Sequence, residues 1–492
     1  MDGDTYGASR VSAAAERVEF NLILVHLDLK GAPPKVSYLA EVFPLFSALG
    51  ANGLLIEYED TFPYCGQLAS LQAVHAYSPQ EIAEILQLAK LHRLEVIPLV
   101  QTFGHMEFVL KHREFSHLRE VPAYPNSLNP HREESHQLLQ AMISQMMALH
   151  PGVRWLHIGS DEVYYLGEGE ESQQQRSELS LSVEDIFLSH LRAVAAHVVT
   201  SYPGVTPIAW DDMLRGASAQ ALAESGVPQL VEPMIWDYTP NLDVENQIAL
   251  VNKYRECGFQ KIWFASAFKG ATGANQQMTH IGHHLENNKR WLQVAQRIPR
   301  VMLRGLALTG WQRYDHFSVL CELLPVAIPS LAVCLQMLRY GSFSDKVIAA
   351  VKSLIGMSQV ETENFISDPT GTFPGSDVFS LVAHVTFFLK PSVKDVLEGN
   401  RFVTGWFSPY HRKKRIIHPI MVNQIQPDAV SQLTRWTSVL EDLRAALLRI
   451  YPPNIAEEWM EENVLPYFLP LQQLVDDLNL ALAQDCSQAV SL

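Results

Sequence analysis

The stretch Leu156-His157-Ile158-Gly159-Ser160-Asp161-Glu162-Val163 holds the residue types that acid–base chemistry needs. It opens as an apolar strand and closes in a small-residue turn that presents two consecutive carboxylates. Neighbouring carboxylates resist simultaneous ionisation, so one pKa is driven up, and partial burial drives it further. The expectation is a protonated Glu162 that donates to a leaving oxygen and an ionised Asp161 that orients and stabilises positive charge. A bare Asp-Glu pair would more simply cap a following helix. The His-x-Gly-small context at the end of an isolated apolar run favours chemistry instead. His105, after Gly104, stands on a loop, where function concentrates. Trp210, Trp236 and Trp311, three of nine tryptophans, each end a predicted strand and could wall a ligand that has C–H faces.

These residues need a scaffold that gathers strand ends. Eight aliphatic or β-branched runs read as strands: Asn21–Leu29, Gly53–Tyr58, Glu95–Val100, Trp155–Ile158, Pro207–Trp210, Leu230–Trp236, Lys261–Ala265 and Gly305–Gly310. Helical sequence lies between them, as in Ser78–His92, where Ser78 can cap and Pro79 suits the first turn. Strand–helix alternation eight times over predicts an α/β fold of the (β/α)8 TIM-barrel type, with its active site at the C-terminal strand ends. An open doubly wound sheet would show a glycine-rich loop after an early strand, and His26-Leu27-Asp28-Leu29-Lys30-Gly31 is not one. The expected division is a flexible leader over 1–18, a barrel over 19–340 and a C-terminal helical region over 341–492 packed on the barrel. Within that last region Ser344–Leu354, Pro427–Arg449 and Leu465–Ala483 read as helices, whereas Ser367–Asp377 and Glu398–Pro409 read as irregular.

Composition sets limits. The 492 residues are 47% hydrophobic and 18% charged, which suits a large core. A formal charge of −16 disfavours nonspecific binding to nucleic acid or anionic membrane. The longest uncharged, mostly apolar run, Leu323–Leu338, is 16 residues with two prolines, so a buried helix is expected rather than a membrane span. No secretory signal pattern opens the chain, and five scattered cysteines without CxxC spacing suggest free thiols in a reducing compartment. The cytoplasm is the expected location, with the nucleus kept as a second one because of the basic run His411-Arg412-Lys413-Lys414-Arg415, which otherwise reads as solvated surface. His280-Ile281-Gly282-His283-His284 lacks partners at metal-ligand spacing.

The carboxylate motif resembles the His-x-Gly-Gly-Asp-Glu signature of the family-20 glycoside hydrolases, the β-N-acetylhexosaminidases, with Ser160 in place of the second glycine. The segment Val96–His105, the triplet Leu128-Asn129-Pro130, the turn Ala209-Trp210-Asp211-Asp212, Trp236 and Trp311 are similar to family segments in the same order. The compact form is most similar to the family's intracellular subgroup, as are the runs around Asp28 and Glu57. The resemblance covers roughly residues 20–320. It implies an exo-acting hydrolase of terminal β-linked N-acetylgalactosamine or N-acetylglucosamine that retains anomeric configuration. In that mechanism the substrate's 2-acetamido oxygen is the nucleophile, Asp161 orients it, and Glu162 is the general acid and then base. The implied substrate is a glycoconjugate or oligosaccharide ending in N-acetylhexosamine, and neither metal nor organic cofactor is called for. A homodimer is left open.

Around that pair, the tryptophans, His105, Asp28 and Glu57 are expected to bind sugar, with His157 supporting the carboxylates. Some positions depart from the family. Its first-strand arginine has no counterpart in Leu22-Ile23-Leu24-Val25, its seventh-strand Tyr-x-Asp is missing, and Gln312-Arg313-Tyr314 follows Trp311 where a glutamate is usual. Arg313, Tyr314 and Tyr238 are the candidate substitutes. Two rival readings are a catalytically silent sugar-binding barrel and a glycosidase that does not use the acetamido group.

Overall fold

The computed structural model describes residues 20–363 and 370–489. Its eight strands are all parallel and close into one barrel in chain order: β1 (Leu22–Asp28), β2 (Gly53–Glu57), β3 (Glu95–Leu99), β4 (Trp155–His157), β5 (Thr206–Trp210), β6 (Glu232–Trp236), β7 (Ile262–Lys269) and β8 (Leu303–Gly310). Each strand expected from sequence is present, with ends moved by a few residues. The largest change is in β7, which runs on to Lys269 because Ser266, Ala267 and, past a register shift, Lys269 stay paired with β8. Strands buried on both faces read as near-continuous apolar runs, which is why they stood out.

Inside the barrel Leu24, Leu55, Ile97, Trp155, Ile208 and Trp263 form a packed layer beneath the cleft. Trp263 belongs to that core and donates from Nε1 to Glu232 Oε2 at 2.8 Å. The ladder is uneven. β2 and β3 share five register pairs, whereas β3 and β4 share the single pair Leu99–His157. Beyond it Val100 N donates to His157 O at 2.9 Å and the Thr102 hydroxyl to Ile158 O at 2.6 Å. β4 therefore leaves the sheet early, and the chain after it is free to turn its carboxylates over the barrel mouth.

The helix Pro79–Leu91 starts with a capping box between Ser78 and Glu81, which satisfies two backbone donors reciprocally. Leu324–Tyr340 is a core helix, buried from Leu324 to Leu338. After it come Asp345–Ile355, Ser376–His384, Pro419–Ile450, Pro453–Asn463 and Leu465–Ala489. The stretch expected to be irregular over 398–409 is instead largely helical. Asn400 caps Arg401–Trp406 and Ser408 caps Pro409–Lys414, so residues that read as turn formers serve as helix starts. The expected leader, residues 1–18, and the first residues of the 367–377 loop lie outside the described residues.

The C-terminal helices pack directly on the barrel's outer helices. Lys35 N donates to Ile450 O at 2.7 Å, and the Tyr38 hydroxyl to Pro374 O at 3.0 Å. One continuous apolar core joins Phe43 and Phe46 of the helix Val36–Leu49 to Trp436, Tyr451 and Trp459. Among the described residues no helix is long and apolar enough to cross a membrane.

Candidate active site

All eight strands deliver side chains to one cleft at their C-terminal ends, with about 950 Å³ of open space counting its mouth. Asp161 and Glu162 arrive from the turn after β4. That turn is backbone-strained: Gly159, Ser160 and Glu162 have φ of 63°, 71° and 45°, and His105 opposite has φ of 51°. Left-handed backbone at non-glycine residues costs energy and persists where the surroundings over-determine it. Here those surroundings are tight. The Ser160 hydroxyl lies 3.2 Å from that of Thr102, and Glu162 N donates to Asp212 Oδ2 at 2.8 Å. Gly104 passes so close that a Cβ there would lie 2.0 Å from the carbonyl oxygen of Asp161.

The two carboxylates differ sharply in environment. Asp161 is 6% exposed. It accepts from Gln101 Nε2 at 3.2 Å, and that same nitrogen also donates to Glu57 Oε1 at 3.2 Å. Burial, followed by the repulsion of Asp212 and Glu57, pushes the Asp161 carboxyl up to about 7 against the pull of His105. Burial also lifts Glu162, but more weakly. Its Oε2 accepts from the Tyr314 hydroxyl at 2.7 Å and lies 3.1 Å from His105 Nε2, and these bonds hold it below the ordinary range. The expectation from sequence placed the raised pKa on Glu162; here burial raises Asp161 more. The deeper acid is raised chiefly by its burial and then by the acids beside it, while the outer acid is served by donors. His105 sits between them, with Nε2 also 3.5 Å from Asp161 Oδ2. Burial opposes its charge, yet Asp161 and Glu162 outweigh that and bring its pKa to about 10.

Trp210 forms the floor of the cleft, fully buried and 5.9 Å from Trp311 between ring centroids. Trp236 stacks on Tyr238 at 5.2 Å and donates from Nε1 to Asp212 Oδ1 at 3.1 Å. Glu57 is fully buried at the floor. Burial alone would raise its carboxyl, but Lys30 and a 3.0 Å bond with His26 bring it down to about 2. His157 lies under the motif, its Nδ1 accepting from Gly159 N at 3.0 Å and its ring 4.5 Å from Trp210. Burial lowers its pKa to about 3, so it supports the turn as a neutral ring.

Asp28 has a different place from the one expected. Its Oδ2 accepts from Lys30 Nζ and from Gln312 N, both at 2.7 Å, and the residue that reaches the cleft is Lys30. Arg313, Tyr314 and Tyr238 do line the cleft. Sequence reasoning gave no role to Gln101, Lys30, Glu59 or Asp212. Each lies one or two residues beyond a strand end, and that position is the signal that would have found them. Among the histidines of the 280–284 run, His283 donates from Nε2 to Tyr238 O at 2.8 Å.

A closed parallel barrel with adjacent carboxylates in unlike environments at its mouth, under tryptophan walls, defines a site built for acid–base chemistry. Residues 47–256 match the model of the glycosyl hydrolase family 20 catalytic domain. Over 460 residues the chain is 58% identical to hexosaminidase D of Homo sapiens, covering 94% of this chain and 95% of that protein. It is 63% identical over 342 residues to hexosaminidase D of Bos taurus, covering 70% of this chain and 99% of that one. The crystal structure of Flavobacterium johnsoniae chitobiase shares the fold, with a TM-score of 0.51 at 12% identity over 95% of this chain and 73% of its own. The chain belongs to glycosyl hydrolase family 20 and is a glycoside hydrolase.

Proposed function

We propose that the chain is an exo-acting β-N-acetylhexosaminidase that removes terminal N-acetylgalactosamine or N-acetylglucosamine, with the substrate's acetamido group as nucleophile. The observation that carries this reading is His105 poised between the two acids at the barrel mouth, 3.1 Å from Glu162 and 3.5 Å from Asp161. Before a sugar binds, burial raises the Asp161 carboxyl. A bound sugar changes both environments. Its acetamido N–H donates to Asp161 and favours the anion there, while the leaving group covers Glu162 and strips away water, favouring its neutral form. The proton needed for catalysis thus shifts toward the outer acid as the substrate seats.

The acetamido oxygen then bonds to the anomeric carbon as the glycosidic C–O bond breaks, and Glu162 protonates the departing oxygen. The product of that step is an oxazolinium whose charge Asp161 stabilises. Water next attacks the anomeric carbon, Glu162 takes its proton, and the acetamido group is released with configuration retained. Trp210, Trp236 and Trp311 bury the ring and the acetamido methyl. Tyr238, stacked on Trp236, serves the acetamido end. Tyr314 serves Glu162 and not the sugar hydroxyls.

The partition at about residue 340 into barrel and C-terminal helical region is part of the same proposal. So is work in a reducing compartment such as the cytosol, which free Cys65, Cys257, Cys321 and Cys334 support.

The test is a paired assay with aryl β-N-acetylgalactosaminide and β-N-acetylglucosaminide, each with a thiazoline inhibitor. Glu162→Gln should cut turnover about a hundredfold or more. Equal activity on a β-glucoside lacking the acetamido group, or indifference to the thiazoline, would reject acetamido participation.

A further inference from the structure

In a closed eight-stranded barrel the end of β4 lies opposite the end of β8, which β7 and β1 flank. The anomeric carbon and acetamido group belong at Asp161 and Glu162, so the far side of the ring, with its non-reducing hydroxyls, must meet residues from that opposite arc. Lys30 after β1 and Arg313 after β8 line the cleft there, with Glu57 at the end of β2 and Glu59 just after it beside them. Most of them already have strong partners. Lys30 donates to Asp28, Glu57 is bonded to His26 and Gln101, and Glu59 is 2.5 Å from His316 Nε2.

Arg313 is different. Its Nη2 donates to Glu458 Oε1, on the C-terminal helix Pro453–Asn463. Its Nε is buried and has no hydrogen-bond partner among the described residues. A buried guanidinium N–H without an acceptor is costly unless a ligand supplies one. The guanidinium also packs close against Gly31, where a Cβ would come within 2.2 Å of Nε. Gly31 has φ of 79°, so glycine suits both the turn and the close approach. From behind, Ile455 and Trp459 anchor the Glu458 helix in the core, and Asn454 Nδ2 lies 2.9 Å from His75 Nδ1 on the loop after β2. The helix is therefore fixed against two cleft loops.

We propose that Arg313, held by Glu458, reads a hydroxyl at the non-reducing end of the terminal sugar, so that the C-terminal helices complete the pocket and close it at that end. This rests on the hexosaminidase reading and assigns the site a guanidinium in place of the arginine missing from β1. Arg313 contacts substrate, and Glu458 is a positioning residue that acts through it.

The experiment compares an aryl β-N-acetylhexosaminide with its 4-deoxy and 6-deoxy analogues in the wild type, Arg313→Gln, Glu458→Ala, Glu458→Gln and, as a control on the same helix, Glu461→Gln. The wild type should lose about tenfold to a hundredfold in kcat/KM on at least one deoxy analogue, the range expected of a hydrogen bond to a charged group. Arg313→Gln should treat parent and that analogue alike. Glu458→Ala should lose most of the discrimination, chiefly through KM, and Glu458→Gln, which keeps an acceptor at the same reach, should recover much of it. Unchanged discrimination in Arg313→Gln or in Glu458→Ala would overturn the proposal, as would an equal effect of Glu461→Gln. Calorimetric titration with the matching thiazoline and deoxythiazolines reads the same discrimination without turnover. Failure of the hydrolase reading and failure of this one therefore give different results.

Discussion

Replacing Gly104 with alanine tests how far catalysis depends on the placement of the carboxylate turn. The added Cβ would sit 2.0 Å from Asp161 O and 3.1 Å from both the carbonyl carbon and oxygen of Glu162. Real Cβ atoms essentially never approach another heavy atom within 3.0 Å, so the Asp161 carbonyl must retreat by about 1 Å. The obstacle is backbone, with no flexible side chain to swing aside. A misplacement of about 1 Å in a catalytic group costs on the order of a hundredfold in rate, or about 2.7 kcal/mol in activation free energy. Overpacking of this kind costs about 1–3 kcal/mol of stability, which lowers the melting temperature without unfolding a chain of this size. The assay is kcat on an aryl β-N-acetylhexosaminide beside a thermal melt, with Gly216→Ala as control, since a Cβ at Gly216 meets nothing within 4 Å. A Gly104→Ala enzyme within threefold of wild-type kcat would refute the idea that this backbone contact fixes the acids.

Three further outcomes follow from the site. Asp161 has its folded pKa raised to about 7, so the folded state keeps a proton that the unfolded chain has lost above its ordinary value. Stability from this group therefore declines as pH rises toward 7, and Asp161→Asn should stabilise the fold by about 0.5–2 kcal/mol at pH 8, and less at pH 4, while activity falls; equal melting shifts at both pH values would contradict this. Tyr314→Phe removes a donor to the anionic form of Glu162, so that residue should hold its proton to higher pH in the substrate complex and the alkaline limb of kcat should move up. A limb that stays in place would exclude Tyr314 from the proton balance. Ser160→Gly relieves a left-handed residue and forfeits its hydroxyl contacts, so activity should stay within a few-fold and the melting temperature within a few degrees; a collapse of either measure would mean that the Ser160 hydroxyl does more than fill the turn.

The barrel was legible because its strands are buried on both faces and separated by amphipathic helices. The carboxylate pair was legible because adjacency itself is a chemical statement. Which of the two is raised was not, since that follows from the burial of Asp161 and from Asp212 and Glu57, which meet it only once the strands around β4 are in place. The same holds at the first strand, where Asp28 looks like a ligand group until Lys30 is seen to take its carboxylate into the interior. In the C-terminal region, Asn400 and Ser408 read as loop chemistry, and what they do is begin helices. Glu458 carried no signal at all, because its meaning lies entirely in a contact 145 positions away along the chain.

The single pairing between β3 and β4 has a thermal corollary. A cylinder with one lightly stitched seam should part there first, and that seam runs directly below the turn bearing both acids. Heating should therefore silence the enzyme before its circular dichroism changes, with amides near Leu99 and His157 exchanging hydrogen ahead of those joining β7 to β8.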